Sequence, residues 1–380
     1  MELERDHASP HPIGHITLKR TIQVIAGALI ALVLLYVLFR GVNWADLLRA
    51  MRSVSLLWLA LCQIPLWLSF LTRIQRWKHI VRATAPASFR AMFSATQIGF
   101  LANFTLPARA GELIRPYVLG RLAGIPFSKG LALTALDRVT DLFGLIATMA
   151  FAGLAFHPKK DIALPKELLG FQYTVSARAI DTTAVFTLIV LAGLIAVLVL
   201  IYVNKRLALR LSDFIFGMIS TRLAEWIHRL VNEFAEGLHI LRSPIAMVRS
   251  IAWSFVTWGL FLVSTTCILQ AFHLNWPWYA PLVVQSTLAI LISVGFTPGF
   301  IGQFQAGVLA GLTMVIPGIS YADALAVGVV AHIVNVLPIA ITGVGCLVWE
   351  NMGLLELQRA SEEAEAELEE ELDEEVRETT

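Results

Sequence analysis

Charge is what this sequence has least of. Asp, Glu, Lys and Arg make up 15% of its 380 residues, against about 25% in an ordinary soluble domain. That shortage argues against a water-soluble enzyme built around one packed core. Cysteine is also scarce: Cys62, Cys267 and Cys346 lie far apart in apolar runs, with no CxxC or Cys/His spacing. Neither a disulfide framework nor a zinc site is supported. No G-x-x-x-x-G-K-[ST] loop occurs, which argues against ATP hydrolysis by this chain. An Asp-rich prenyl diphosphate motif and the D-G-x-x-A-R lead of a CDP-alcohol phosphotransferase are missing too. No metal and no cofactor is expected. The first apolar run has no small-x-small cleavage site after it, so a removed signal peptide is not expected either.

What the sequence does have is apolar length: 57% of residues are hydrophobic and the mean hydropathy is +0.71. A bilayer core about 30 Å thick needs about 20 apolar helical residues. Runs at 22–39, 54–72, 131–156, 183–203, 247–272 and 323–349 meet that length. Two further stretches, 88–106 and 279–297, each run into a Pro/Gly motif and then a shorter apolar piece, 113–123 and 306–316. Backbone breaks at membrane depth are tolerated only where protein buries them or they line a cavity. The expected fold is all-α: a polytopic integral membrane helical bundle with two broken or re-entrant helix segments. Its expected divisions are an N-terminal cytoplasmic tail over 1–20, a transmembrane domain over 21–350 and an acidic cytoplasmic tail over 351–380.

Sidedness follows Lys and Arg. Arg73, Arg76, Lys78, Arg82 and Arg90 follow the second span without an acid, which places that segment and both termini in the cytoplasm. The protein is expected in the cell (inner) membrane. Segment 204–246 is basic, with Leu207, Leu211, Phe214, Ile215 and Met218 at helical spacing. It reads equally as an amphipathic helix or helix pair on the inner leaflet and as a cytosolic helical hairpin. Residues 352–380 hold twelve acids and two bases, so that tail is −10 and the rest of the chain +11. A basic remainder fits anionic lipid head groups, whereas no basic stretch sits on a soluble module that would take nucleic acid.

The two broken stretches resemble each other. The first reads Phe104-Thr105-Leu106-Pro107, then Gly111-Glu112, then Pro126; the second reads Phe296-Thr297-Pro298, then Gly302-Gln303, then Pro317. In both, the last proline comes nineteen residues after the first. Span parity makes them enter from opposite sides, as an inverted repeat would. Paired interrupted segments point to a transporter site near the midplane.

Polar groups at such depth cost about 2.5–3.5 kcal/mol each on insertion scales and are usually paired and functional. The densest set is Asn103, Arg109, Glu112 and Arg115. Glu112 and Arg115 share a helix face, and free N–H groups at that helix start would add positive potential. Arg109, Arg115 and the helix end are placed to hold a phosphate by forked bonds, with Glu112 balancing Arg115 or meeting a cation or proton. A second set is Asp137, Arg138 and Asp141, whose bland reading is a row of charges at the cytoplasmic interface. Contact of Arg109 or Arg115 with Asp137 or Asp141 suits either reading, and all six charges are expected to line one polar cavity open to the cytoplasmic leaflet. A third set joins Pro298, Gly299, Gly302, Gln303 and Gln305 of the second break with His332 and Asn335. There, helix-packing hydrogen bonds compete with a proton relay or head-group contact through His332.

The run Asn103-Phe-Thr-Leu-Pro107-Ala-Arg109-Ala-Gly111-Glu112-Leu-Ile-Arg115 resembles the signature of the flippase-like family. That family is named for the transmembrane region of lysylphosphatidylglycerol synthase, or multiple peptide resistance factor. All fixed positions of its N-x-x-L-P-x-R-x-G-E-x-x-R pattern are met. Asp137-Arg138-Val-Thr-Asp141-Leu142 is similar to its acid-Arg-x-x-Asp-Leu element, with Asp where Glu is usual. The late P-G-G-x-G-x-x-E pattern is met in part, with Phe300 replacing a glycine and Gln305 standing at the Glu. The resemblance covers most of residues 20–350. It implies a stand-alone member without the aminoacyl-transferase domain, since only the acidic tail follows the last span. It also implies translocation of a lipid between leaflets, the relatives' substrates including aminoacylated phosphatidylglycerol, polyprenyl-linked sugars and hopanoid-related lipids. The expected partner is thus a membrane lipid, an anionic phospholipid or a polyprenyl-linked lipid. The rivals are a membrane-embedded transferase acting on a lipid phosphate, and a scaffold whose tail recruits a synthase. The tail carries Leu357, Ala360, Ala364, Leu368, Leu372 and Val376 at three- or four-residue spacing. A solvated helix or disorder is its default, with partner binding or self-association as the alternative.

Overall fold

A computed structural model describes residues 13–82, 85–106, 109–169, 171–203, 244–293, 295 and 297–362. Nearly all of the amphipathic segment 204–246, and the tail beyond residue 362, lie outside the described residues. The described elements are α1 (Ile13–Phe39), α2 (Trp44–Arg52), α3 (Leu56–Arg82), α4 (Phe89–Thr105), α5 (Gly111–Ala123) and α6 (Phe127–Ala155). Then come β1 (Ile162–Leu164), α7 (Lys166–Leu169), β2 (Tyr173–Val175) and α8 (Ala177–Val203), followed by α9 (Pro244–Ala271) and α10 (Ala280–Ser293). A 3-10 turn (Pro298–Phe300), α11 (Gln303–Val315) and α12 (Tyr321–Trp349) complete the order. The fold is an all-α polytopic membrane bundle. Among the described residues five helices are long and apolar enough to cross a bilayer, and α1 with α2, bent by 94°, makes a sixth candidate span.

Each long apolar run becomes a helix because only a helix satisfies every backbone polar group within its own segment. Leu29, Leu32, Leu57, Phe186, Val263 and Val348 stay exposed along the bundle's outside, as a lipid-facing surface requires. Two short elements escape a reading by span length. In α2, Asn43 caps the helix start by accepting from the amides of Ala45 and Asp46, and Trp44 stacks on Phe39 at 5.5 Å. Between α6 and α8, β1 and β2 pair antiparallel with Ile162 opposite Val175.

The two interrupted stretches form helical hairpins. In the first, α4 and α5 approach so closely that a Cβ on Gly111 would sit 1.9 Å from the Gly99 carbonyl oxygen. In the second, α10 and α11 pack with Gly307 against Leu288 and Gly311 against Val284, an antiparallel register. Each hairpin is followed by a 29-residue helix, α6 or α12, and α5 and α11 are both 13 residues long. Contact between the two hairpins is concentrated at their tips, where Phe104 meets Phe300 edge-on with centroids 5.4 Å apart. Each also has its own core: Trp77, Ile98, Ile114 and Leu133 around the first, Val284, Leu309, Leu325 and Ile268 around the second.

The end of α12 is tied back to the first hairpin. Arg90 at the start of α4 donates two nitrogens to Glu350, at 3.0 and 2.9 Å. Arg121 in the last turn of α5 pairs with Glu356. Residues 354–362 are helical and bury Leu357 beside Met352 and Cys346. The first turns of the tail are therefore packed, not solvated, because the stripe that begins at Leu357 finds an apolar surface at the hairpin's open end.

Candidate functional site

The charges of the first hairpin and of α6 form one network. The Asp137 carboxylate, 1% exposed, accepts Arg115 Nη1 at 2.7 Å. It also accepts Arg76 Nε at 2.8 Å and Arg76 Nη2 at 3.2 Å. Arg76 Nη1 continues to Asp141, whose Oδ1 also accepts from Trp258 Nε1 at 3.2 Å and Ser254 Oγ at 3.3 Å. One residue along α6, Arg138 grips Glu112 with Nε at 2.9 Å and Nη2 at 2.5 Å. This second pair faces outward, with the two side chains 40% and 30% exposed. The network has a dry base and an accessible rim.

The pairing differs from the sequence expectation in an instructive way. Glu112 and Arg115 do share a face of α5, but they do not balance each other. Both reach to α6, where Asp137 and Arg138 are adjacent and opposite in sign, so each finds its counter-charge across the interface. The start of α5 does not offer free N–H groups either. Asn103 Oδ1 accepts Gly111 N at 2.9 Å, and the amides of Glu112 and Leu113 go to the carbonyls of Arg109 and Ala110. Asn103 Nδ2 lies 3.5 Å from Glu112 Oε1, which ties the break of α4 to the rim pair.

Arg76 is the site residue that sequence reading missed, because a Lys/Arg count reads it as part of a cytoplasmic loop. It is 2% exposed on an α3 that runs on to Arg82. The signal was the apolar spacing of Ile74, Trp77, Ile80 and Val81, all fully buried, which continues the helix past the first basic residue. Trp77 also carries Arg115 on its ring face at 3.6 Å.

Arg109 takes a different direction from Arg115. With φ of 55°, its side chain leaves the first break and donates Nη2 to the Ile292 carbonyl at 2.5 Å, near the end of α10. Its guanidinium lies 5.7 Å from the Phe300 ring centroid. The two breaks are thus joined by a guanidinium as well as by the Phe104–Phe300 contact.

The second break is held by amides. Pro298 and Gly299 form the 3-10 turn, with Gly299 at φ 61° and Gly302 at φ 83°, conformations that glycine adopts without strain. Gln303 accepts from Thr297 N and Oγ1 and donates to the Leu291 carbonyl at 3.0 Å, so one side chain bridges the unwound segment. Gln305 accepts from Gly302 N at 2.8 Å and meets His332 Nδ1 at 2.9 Å. His332 Nε2 then meets the Gly299 carbonyl at 2.9 Å. A carbonyl only accepts, so His332 is the Nε2–H tautomer with Nδ1 accepting from Gln305. Both ring nitrogens are engaged and Phe304 stacks on the ring at 4.6 Å. His332 is placed as a clasp on the break. Asn335 donates to its own helix at Ala331 and lines a cleft with Phe261, Ser264, Thr265, Gln285 and Phe304.

Over residues 24–343 the chain matches the family described as Lysylphosphatidylglycerol synthase TM region, and it belongs to that family. It is 28% identical over 336 residues to a UPF0104 membrane protein of Methanothermobacter thermautotrophicus, covering 86% of this chain and 92% of that one. It is 23% identical over 367 residues to glycosyltransferase AglD of Haloferax volcanii, covering 91% of this chain. The match spans 57% of that second relative's length.

Proposed function

We propose that this member of the lysylphosphatidylglycerol synthase TM family moves a phosphate-bearing lipid from one leaflet to the other. The path runs past the meeting point of the two hairpins. The observation that carries this reading is the Arg109 bridge from the first break to the Ile292 carbonyl of the second. A re-entrant hairpin from each side brings polar backbone to mid-depth, where a head group otherwise meets only hydrocarbon. Parting the tips on one side and then the other passes the head group through without a continuous pore.

The rim pair supplies the exchange chemistry. Arg138 offers a forked guanidinium that Glu112 occupies at rest, and a lipid phosphate takes the same two donors when Glu112 lets go. The dry Arg76–Asp137–Arg115 base keeps the rim in place. In this reading the chain sits in the cell membrane with both termini cytoplasmic. Among phosphate-bearing head groups, the family's name favours aminoacylated phosphatidylglycerol, and the Haloferax relative's name, a glycosyltransferase, favours a sugar-bearing one. The latter name also supports a second reading, a membrane-embedded transferase acting on a lipid phosphate.

The test is lipid scrambling in proteoliposomes with head-group-labelled phosphatidylglycerol and a short polyprenyl phosphate. Wild type is expected to move at least one of them, and Arg138→Gln to slow that movement at least tenfold with its melting profile intact. Wild type that moves neither lipid, but transfers a sugar onto the polyprenyl phosphate, overturns translocation in favour of the transferase.

A further inference from the structure

The ion pairs of the site balance. Arg76, Arg115 and Arg138 face Asp137, Asp141 and Glu112, three guanidinium groups against three carboxylates. Two further guanidiniums stand outside this balance. Arg109 has one nitrogen on a backbone carbonyl and no carboxylate partner among the described residues. Arg73 is further from neutralisation: among the described residues its nitrogens meet no hydrogen-bond or ion-pair partner at all.

What holds Arg73 is aromatic. Its guanidinium carbon lies 4.7 Å from the Phe100 centroid on α4 and 4.8 Å from the Phe261 centroid on α9. Aromatic rings attract a guanidinium through its flat face, and neither ring can accept a bond from the N–H edge. Asp141 lies within electrostatic reach, but its hydrogen bonds come from Arg76, Ser254 and Trp258. A partly buried guanidinium fixed by rings, with its donors unspent, is complementary to a planar-forked anion acceptor. Phosphate oxygens fit that fork. Phe261 also lines the small cleft that holds Phe304 and Asn335 beside the second break.

We propose that Arg73 is an anion site that takes the phosphate group of a membrane lipid, clamped between Phe100 and Phe261 and separate from the rim pair. The inference rests on the translocation reading only for the ligand being a lipid; the anion site itself does not require transport. It also gives the uncompensated positive charge a purpose. One phosphodiester at Arg73 offsets that guanidinium's charge without dismantling any existing ion pair, leaving Arg109 on its backbone carbonyl.

Equilibrium binding to purified protein in detergent tests this directly. The probes are short-chain phosphatidic acid, phosphatidylglycerol and inorganic phosphate, with diacylglycerol as the uncharged control. Wild type is expected to bind both phospholipids, and Arg73→Gln to weaken both by about ten- to a hundredfold, the loss of one or two charge-assisted bonds. Diacylglycerol binding is expected to stay unchanged. Arg73→Lys keeps the charge without the fork and should fall between; it also keeps the test open should Arg73→Gln fail to fold. Phospholipid binding unchanged in a folded Arg73→Gln variant overturns the site. Inorganic phosphate bound as tightly as the phospholipids overturns the lipid as its source. Binding that depends on Arg73 while wild type scrambles nothing leaves the site standing and removes translocation instead.

Discussion

Arg76 and Asp137 are locked side by side, Nε to Oδ1 at 2.8 Å and Nη2 to Oδ2 at 3.2 Å, although 61 residues separate them. Both are almost wholly buried, and Arg115 closes on the same carboxylate from α5. The pair joins α3 to α6 behind the rim. Removing one member of a buried pair leaves an uncompensated charge, which costs about 3–5 kcal/mol. Asp137→Asn is therefore expected to lower the thermal midpoint of the detergent-solubilised protein sharply. Arg76→Lys, which keeps the charge but loses the two-pronged grip, is expected to fall between that variant and wild type. A midpoint for Asp137→Asn equal to wild type would sink the structural role given to this pair.

The Glu112–Arg138 pair should behave in the opposite way. It is part-exposed where the Arg76–Asp137 pair is buried, so its loss costs less than that of the base. Glu112→Gln is expected to leave the melting midpoint nearly unchanged while altering lipid scrambling, because the rim then presents Arg138 permanently. Stability and transport measured on the same preparation separate this from a packing defect.

Gly111 admits no side chain. A Cβ there would meet the Gly99 carbonyl oxygen at 1.9 Å and Asn103 Oδ1 at 2.6 Å, so the first hairpin must open. Gly111→Ala is expected to cost at least the upper end of the 1–3 kcal/mol range for overpacking. Gly193→Ala, where nothing lies within 4 Å, is the tolerated control. Comparing the thermal midpoints of the two variants checks this.

The contact between Glu350 and Arg90 should be pH-sensitive. The hydrogen-bonded Arg90 guanidinium holds the Glu350 carboxyl below its ordinary value of 4.5. Its stabilisation is thus present above about pH 4.5 and is lost as pH falls through the lowered folded-state value. His157 runs the other way. Its hydrogen bond to Asp181 raises it from 6.5, so its contribution is present below that value and fades as pH rises through the raised one. Melting curves between pH 3 and 9 should show the acid-side loss flattened in Glu350→Gln and the alkaline-side loss flattened in His157→Gln.

Truncation distinguishes translocation from scaffolding, but the cut must respect the packing of Leu357, which is 1% exposed. Ending the chain after Glu362 keeps that contact and the Arg121–Glu356 pair. Scrambling by the shortened protein in proteoliposomes is expected to match the full chain; a scaffold would scramble in neither form.

The sequence alone determined the architecture. Each long apolar run folds into a helix because lipid offers no partner for backbone polar groups, and Pro107, Pro298 and the neighbouring glycines marked both breaks for the same reason. The residues of the first motif and of α6 were legible as a set because charges in such runs are rare. Their pairing was not legible. Helical spacing puts Glu112 and Arg115 on one face, but which of Asp137 and Arg138 each meets depends on how α5 packs against α6. The same holds for Arg76 and Arg73, which a count of basic residues assigns to a loop. Only the packing of α3 against α6 and α9 turns one into the anchor of Asp137 and leaves the other between two aromatic rings. The docking of Leu357 also lay beyond local sequence, since the apolar cluster it joins includes Met92 and Leu119 of the first hairpin. Local chemistry fixes where a helix starts, bends and stops; which charge meets which is settled between elements tens of residues apart, where only the tertiary arrangement sets the distances.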